Sequence, residues 1–212
     1  MSSCDTCAWR INFTKGSPRW LILPGTEADR SAALQVRWQV YCEELGHSLA
    51  PCGDSYDQRA NLCVVRTAED QPVASLRIVG PEGRPFEIDR YVPIDDLLPK
   101  DSRPAEINRF CILRSFRSIS SGVHLALFDF MIFLSRRESF SHFILASKPS
   151  IAPIYRYLGF EVVPGRSFAH AELGNQRHDL MLLELSRLPE RYRDVGHPLG
   201  RFVGPRQLKL AQ

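Results

Sequence analysis

Glu106-Ile107-Asn108-Arg109-Phe110-Cys111-Ile112-Leu113-Arg114-Ser115-Phe116-Arg117-Ser118-Ile119-Ser120-Ser121-Gly122 is the stretch that decides the fold. Its apolar and β-branched opening predicts a strand over Glu106–Leu113. Arg114–Ser121 is polar and serine-rich and predicts a loop. Gly122–Glu138 follows as a helix whose apolar residues cover most of its circumference, so it is expected to be buried on more than one side. A further strand is predicted at Phe143–Ser147 and a short helix at Ser150–Leu158, closed by Gly159. Strand, helix, strand and helix in that order imply parallel neighbours.

Outward from this core the pattern changes. Asn61–Thr67 and Val73–Val79 are strands joined by the polar turn Ala68–Gln71, which implies an antiparallel hairpin. Before them, Thr26-Glu27-Ala28-Asp29 has the form of a helix capping box. Leu34, Trp38, Tyr41 and Leu45 then recur at helical spacing as one expected buried stripe, ended by Gly46. Arg37, Tyr41 and Glu44 share an adjacent face. His47–Arg59 is loop-like, and 80–104, rich in Pro and Gly, is expected as a long surface excursion. Short extended segments are predicted at Trp9–Phe13, Trp20–Leu23, Phe160–Val163 and Asp179–Leu185, the last preceded by a turn at Gly174-Asn175. The expected class is α/β (α+β), a mixed sheet flanked by helices. The expected organisation is a tail at 1–18, one domain over 19–188 and an irregular arm at 189–212.

Composition narrows the function. The 212 residues are 44% hydrophobic and 24% charged, which excludes disorder as the dominant state. The longest apolar run, Val123–Leu134, is interrupted by Asp129 and too short to span a bilayer, so no integral membrane segment is expected. A net charge of +3 is too small to point to nucleic acid. Of the 27 basic residues only 4 are lysine. Guanidinium forks suit carboxylates and phosphates, although a coding bias accounts for the same ratio. No charged-then-apolar leader opens the chain, so a reducing, cytoplasmic compartment is expected for its six cysteines. Cys4-Asp5-Thr6-Cys7 lacks the second pair that a zinc site needs, and no metal is expected.

Three constellations carry chemistry. Arg37, Asp54, Asp57, Arg77, Glu106 and Arg109 bring three cations and three anions from a helix, a loop and two strands. They form either a neutral network that binds a ligand's amine and carboxylate or a set of surface ion pairs. Glu106 and Asn108, two apart on a strand, point to one side and Arg109 to the other. The loop Arg114–Gly122 is either an anion site, with small residues and free N–H groups before a helix, or a plain serine-capped connection. Tyr155, on the short helix, is either a proton donor or an aromatic packed at the sheet edge.

Taken in order, these segments resemble the GNAT superfamily of N-acyltransferases. That resemblance implies a mostly antiparallel sheet split by a parallel strand pair. In that family the loop holds the pyrophosphate or pantetheine arm of the donor through Gln/Arg-x-x-Gly-x-Gly/Ala; here Arg117 and Gly122 fit and Ser120 replaces the first glycine. Arg37-x-x-x-Tyr41, Leu45-Gly46, Asp54-x-Tyr56-Asp57, Arg77 and Glu106-x-Asn108-Arg109-Phe110 resemble the acyl-homoserine lactone synthases and the long-chain N-acyl amino acid synthases. Lactone synthases carry Trp where His47 stands and usually Ser where Asn108 stands, so the amino acid synthases rank first.

The resemblance implies transfer of a fatty acyl group from a phosphopantetheine thioester, on acyl carrier protein or coenzyme A, to the α-amine of an amino acid. That thioester is a co-substrate, and no permanent cofactor is implied. Glu106 would be the base, Tyr155 the acid for the leaving thiolate, and Arg109 the third catalytic member. Arg37, Tyr41, Asp54, Asp57, Arg77 and Asn108 would hold the acceptor. Ile112, Leu113, Arg114, Arg117, Ser120, Ser121 and Gly122 would bind the donor, with a backbone N–H near Ile112–Leu113 facing the oxyanion. Arg136, Arg137 and Arg156 would steer an acidic carrier protein. The alternatives are a lactone synthase that consumes S-adenosylmethionine and a catalytically silent GNAT-fold binding module.

Overall fold

The structure is a computed structural model and describes residues 9–11, 20–24, 27–47, 53–118 and 121–203. By compactness these residues fall into two units. The first draws on Met1–Arg77 and Arg109–Phe130, the second on Ile78–Asn108 and Met131–Arg206.

In the first unit, β1 (Trp9–Ile11), β2 (Trp20–Pro24), β3 (Asn61–Arg66), the start of β4 (Pro72–Val79) and the end of β5 (Pro104–Ile112) are neighbours in that order. β1–β2 and β2–β3 are antiparallel. β3 and β4 have long buried runs, which is why both are apolar at nearly every position rather than alternating. α1 (Glu27–Trp38) packs on this sheet through Ala32 and Ala33, which meet Val64. Val36 and Val40 meet Cys111, with Tyr41 and Leu113 beside them.

The buried face of the first helix differs from the expected stripe. Trp38 and Leu45 are 45% and 48% exposed, while Ala32, Ala33, Val36, Arg37 and Val40 are buried. Small side chains let the helix approach the sheet closely, so they, and not the bulky ones, take the inner face. The helix also changes pitch. Gln39–Glu44 is a π-helical turn, which inserts a residue and moves the phase of everything after it. Gly46, at φ +69°, ends it.

In the second unit β5 is followed by β6 (His142–Ser147), β8 (Gln176–Glu184) and β7 (Glu161–His170). β5 and β6 are parallel from Pro104↔His142 to Glu106↔Ile144, while β6 pairs with β8 along its whole length, from His142↔Glu184 to Ser147↔Asp179. The parallel register therefore stops at Glu106 while β6 continues. β7 is longer than expected. Pro164-Gly165 was expected to end the strand, but on the edge strand these residues sit inside a register shift between Val162 and Ser167, with Gly165 at φ +71°.

α2 (Val123–Arg137) runs from the first unit into the second and is buried on several sides, at Val123, Ala126, Leu127, Phe128 and Phe130 and then at Met131, Ile132 and Leu134. Two further expectations are corrected. Residues 80–104 are not a surface excursion: three 3-10 turns bring Phe86, Glu87, Ile88 and Ile94 to at most 3% exposure. Residues 189–203 are not irregular. α4 (Leu188–Asp194) and α5 (Gly200–Val203) occupy them, because Pro189 lies in a first helical turn, where its missing N–H costs nothing. Tyr192 of α4 stacks on His197 with ring centroids 4.2 Å apart.

α3 (Ala152–Tyr157) ends at Gly159, whose φ is +90°. A Cβ there would lie 2.7 Å from Leu188 Cδ1, on a side chain only 1% exposed. Backbone strain and the clash act together, so Gly159→Ala is expected to destabilise the protein by about 2 kcal/mol in a chemical denaturation curve. A wild-type midpoint would show that Leu188 and the α4 start yield freely.

Candidate active site

The candidate residues form two groups, one in each unit. In the first, Asp57 is the hub. Its Oδ1 accepts from Arg37 Nη1 at 2.8 Å and from Arg77 Nη1 at 3.2 Å, and its Oδ2 accepts the Asp54 N–H at 2.9 Å. Asp54 accepts from Arg77 Nη1 at 2.5 Å and from Arg109 Nη2 at 3.1 Å, and its Oδ1 also takes the Tyr56 N–H. Arg37 and Arg77 are fully buried. Arg77 also lies over the Tyr56 ring and Arg109 over the Tyr41 ring, at 5.4 and 6.0 Å. The choice left open by the sequence is decided for these five residues. They are a buried network, not surface pairs.

Arg109 departs from strand alternation. Its φ is +52°, a left-handed value that a non-glycine residue adopts at a cost of about 1–3 kcal/mol. The bond to Asp54 accompanies this break in β5. Burial pushes the Asp54 carboxyl up, but the Arg77 hydrogen bond and the charges of Arg77 and Arg109 outweigh it and bring the pKa down to about 2.

The donor-side residues of this unit are equally specific. Arg117 Nε donates to the Ile112 carbonyl at 2.8 Å, and its Nη2 donates to Glu44 Oε2 at 2.5 Å. Glu44 Oε1 accepts the Arg114 N–H at 3.1 Å. Ser121 Oγ donates to the Phe116 carbonyl and accepts the Val123 N–H, capping α2. Gly122 has φ +74°. Ser120 lies outside the described residues, as do Cys4 and Cys7. The Leu113 N–H donates to the Val73 carbonyl at 3.0 Å. Leu113 is therefore corrected as an oxyanion donor, since its N–H is spent on sheet pairing.

In the second unit Glu106 is 3% exposed, and each of its carboxylate oxygens accepts a backbone N–H. Oε2 takes that of Glu87 at 3.0 Å and Oε1 that of Ile88 at 2.9 Å. Asn108 Nδ2 donates to Glu87 Oε2 at 3.1 Å, so Glu106 and Asn108 do reach one place. Glu87 Oε1 is 3.6 Å from His170 Nε2. Glu87, His170 and Glu44 were not singled out for chemistry by sequence reasoning. Glu87 lies in a segment whose Pro and Gly content hid its burial, and nothing in the spacing connects it with His170. Tyr155 packs edge-on against Phe160, with centroids 5.8 Å apart.

Two other chemistries can be weighed. Burial drives the Cys63 thiol well up and the Cys111 thiol to about 11, so neither is a thiolate nucleophile at neutral pH. Among the described residues no cluster of three His, Cys, Asp or Glu side chains is placed to hold a metal ion. No helix among them is long and apolar enough to cross a membrane.

The model of the family N-acyl amino acid synthase FeeM matches residues 32–183. The chain belongs to that family. It is an acyltransferase, and the transfer is to nitrogen. No curated protein matches it in sequence. Among solved structures, FeeM, an N-acyl amino acid synthase from uncultured soil microbes, is 15% identical with a TM-score of 0.70, covering 89% of this chain and 100% of its own. BjaI, a coenzyme A-dependent acyl-homoserine lactone synthase solved with S-adenosylmethionine and isopentyl-CoA, is 18% identical with a TM-score of 0.62, covering 81% and 84%. A GNAT family acetyltransferase from Elizabethkingia anophelis with acetyl-CoA bound is 11% identical with a TM-score of 0.50, covering 78% and 98%. At these identities the structures establish a shared fold: a GNAT-like mixed sheet, mostly antiparallel, with one parallel pair and flanking helices.

Two predictions follow from the network. Asp57→Ala leaves Arg37 buried beside no carboxylate at that position and is expected to cost about 3 kcal/mol in chemical denaturation. A cost within experimental error of zero would mean that Asp57 is not the hub. Because the Asp54 pKa is lower in the folded state than its ordinary value of 3.8, its contribution is complete above that value and is lost as pH falls towards 2. Asp54→Asn should therefore flatten the acid limb of the stability curve between those values, and an unchanged limb would contradict the pairing.

Proposed function

We propose that the protein moves a fatty acyl group from a phosphopantetheine thioester to the α-amine of an amino acid, giving a long-chain N-acyl amino acid. The observation that carries this reading is Glu106, a buried carboxylate whose two oxygens are both fixed by the Glu87 and Ile88 amides in a chain of the N-acyl amino acid synthase family. A base held in one orientation is what the reaction requires, because the acceptor arrives as an ammonium and cannot attack until it loses a proton.

The amine nitrogen then attacks the thioester carbonyl, the C–N bond forms and the carbonyl oxygen takes the negative charge. With the Leu113 N–H occupied, the Ile112 N–H, on the other edge of β5, is the proposed oxyanion donor. Collapse breaks the C–S bond, Tyr155 gives a proton to the thiolate, and the second amine proton leaves as the amide forms. One proton is released overall. The remaining roles are proposed on motif position. Arg37, Arg77, Arg109, Asp54 and Asp57 order the acceptor loop, Tyr41 and Asn108 border it, and Arg114, Arg117, Ser120, Ser121 and Gly122 receive the donor arm. The partner would be an acyl carrier protein in the cytoplasm, met by exposed Arg137 and Arg156; Arg136 Nη2 also donates to the Val203 carbonyl.

The test is mass spectrometry of lipid extracts from a bacterial host expressing the chain beside Glu106→Gln. New N-acyl amino acids are expected, with kcat for the variant lower by about 10²-fold, the scale of losing a general base. Acyl-homoserine lactones would instead favour the S-adenosylmethionine reading. Normal turnover by Glu106→Gln would move the base elsewhere.

A further inference from the structure

The donor loop of the first unit already holds an anion, and the anion belongs to the protein. Glu44 closes the π-helical turn and spans two donors. One oxygen accepts the Arg114 amide N–H at 3.1 Å, the other the Arg117 guanidinium at 2.5 Å. A backbone N–H and a guanidinium shared by two oxygens of one acid is also how such a loop takes a phosphoryl group. Arg117 is further fixed through Nε to the Ile112 carbonyl, so its orientation is set by the chain itself.

The pair faces solvent, with Glu44 21% and Arg117 42% exposed. It contributes little to stability and exchanges easily, so a fold-stabilising role does not account for it. Its electrostatic consequence is larger. An incoming phosphate either displaces the Glu44 carboxylate or sits beside a like charge, and both cost binding energy in proportion to the negative charge it brings.

We propose that Glu44 is a built-in counter-anion that sets donor specificity. It disfavours donors that place a diphosphate on this loop, as a coenzyme A thioester does, and spares thioesters on an arm of low negative charge. This rests on Arg114–Gly122 being the donor loop. It singles out a residue outside the motif positions to which donor binding is ascribed, and gives a physical reason for preferring a carrier-bound arm, which ends in a single phosphodiester.

Calorimetric titration of the full chain with a long-chain acyl-coenzyme A and with the matching uncharged acyl-pantetheine tests it. In Glu44→Gln, which keeps the size and an acceptor oxygen for the Arg114 N–H, Kd for the coenzyme A thioester should fall about 5-fold, the upper end for releasing one exposed pair. Kd for acyl-pantetheine should not move. The gain should shrink with added salt and disappear when Arg117→Gln is combined with it. Glu44→Asp, which keeps the charge, should retain the wild-type preference and serves as the control for folding. Equal changes for both thioesters, or weaker coenzyme A binding in Glu44→Gln, would overturn the role of Glu44 alone. Wild-type binding of neither thioester would overturn the donor-loop reading and the proposal together.

Discussion

Asp57 makes the arrangement of the first unit intelligible. Two guanidiniums that are fully buried, Arg37 from α1 and Arg77 from β4, share one of its oxygens, and the other oxygen fixes the Asp54 amide. Burying cations in an apolar sheet is tolerable only with a carboxylate beside them. The loop after α1 is therefore fastened to helix and strand by charge, since it has little apolar surface of its own. Asp54 extends the network to Arg109 and meets the left-handed turn of β5 there.

The second unit holds its carboxylate differently. Glu106 is oriented by two main-chain N–H groups of a 3-10 turn, and that turn is in turn held by the Glu87 side chain, which takes Asn108 on one oxygen and approaches His170 with the other. Main-chain donors fix direction without supplying a charge, which suits a group that must exchange a proton. The parallel register of β5 and β6 ends at the same residue. The end of pairing and the anchoring of Glu106 therefore coincide at one position on one strand.

Much of this was legible in the sequence. The strands at 61–66 and 104–112, the apolar helix before Arg137 and the stops at Gly46 and Gly159 follow from local pattern. The charge set was legible as a set only because residues far apart in the chain kept a family's order. Three features were not legible. The π-helical turn moves the phase of its helix and makes Ala32, Ala33 and Val36 the inner face in place of Trp38 and Leu45. The Pro/Gly-rich stretch near Glu87 is irregular enough to resemble a surface loop, yet its apolar residues are buried. Pro164-Gly165 breaks an isolated strand but is accommodated on an edge.

The sequence by itself determined the element order, the parallel crossing after residue 105 and the family's charged residues, because periodicity, turn chemistry and motif order are local or ordered properties of the chain. Tertiary structure alone decided which partner each charge takes. It gave Asp57 to Arg37 and Arg77, the amides of Glu87 and Ile88 to Glu106, the Leu113 N–H to Val73, and Glu44 to the Arg114–Arg117 loop. Each of these joins residues that are distant in the chain, and a hydrogen bond depends on distance and direction in space, which spacing along the sequence does not encode.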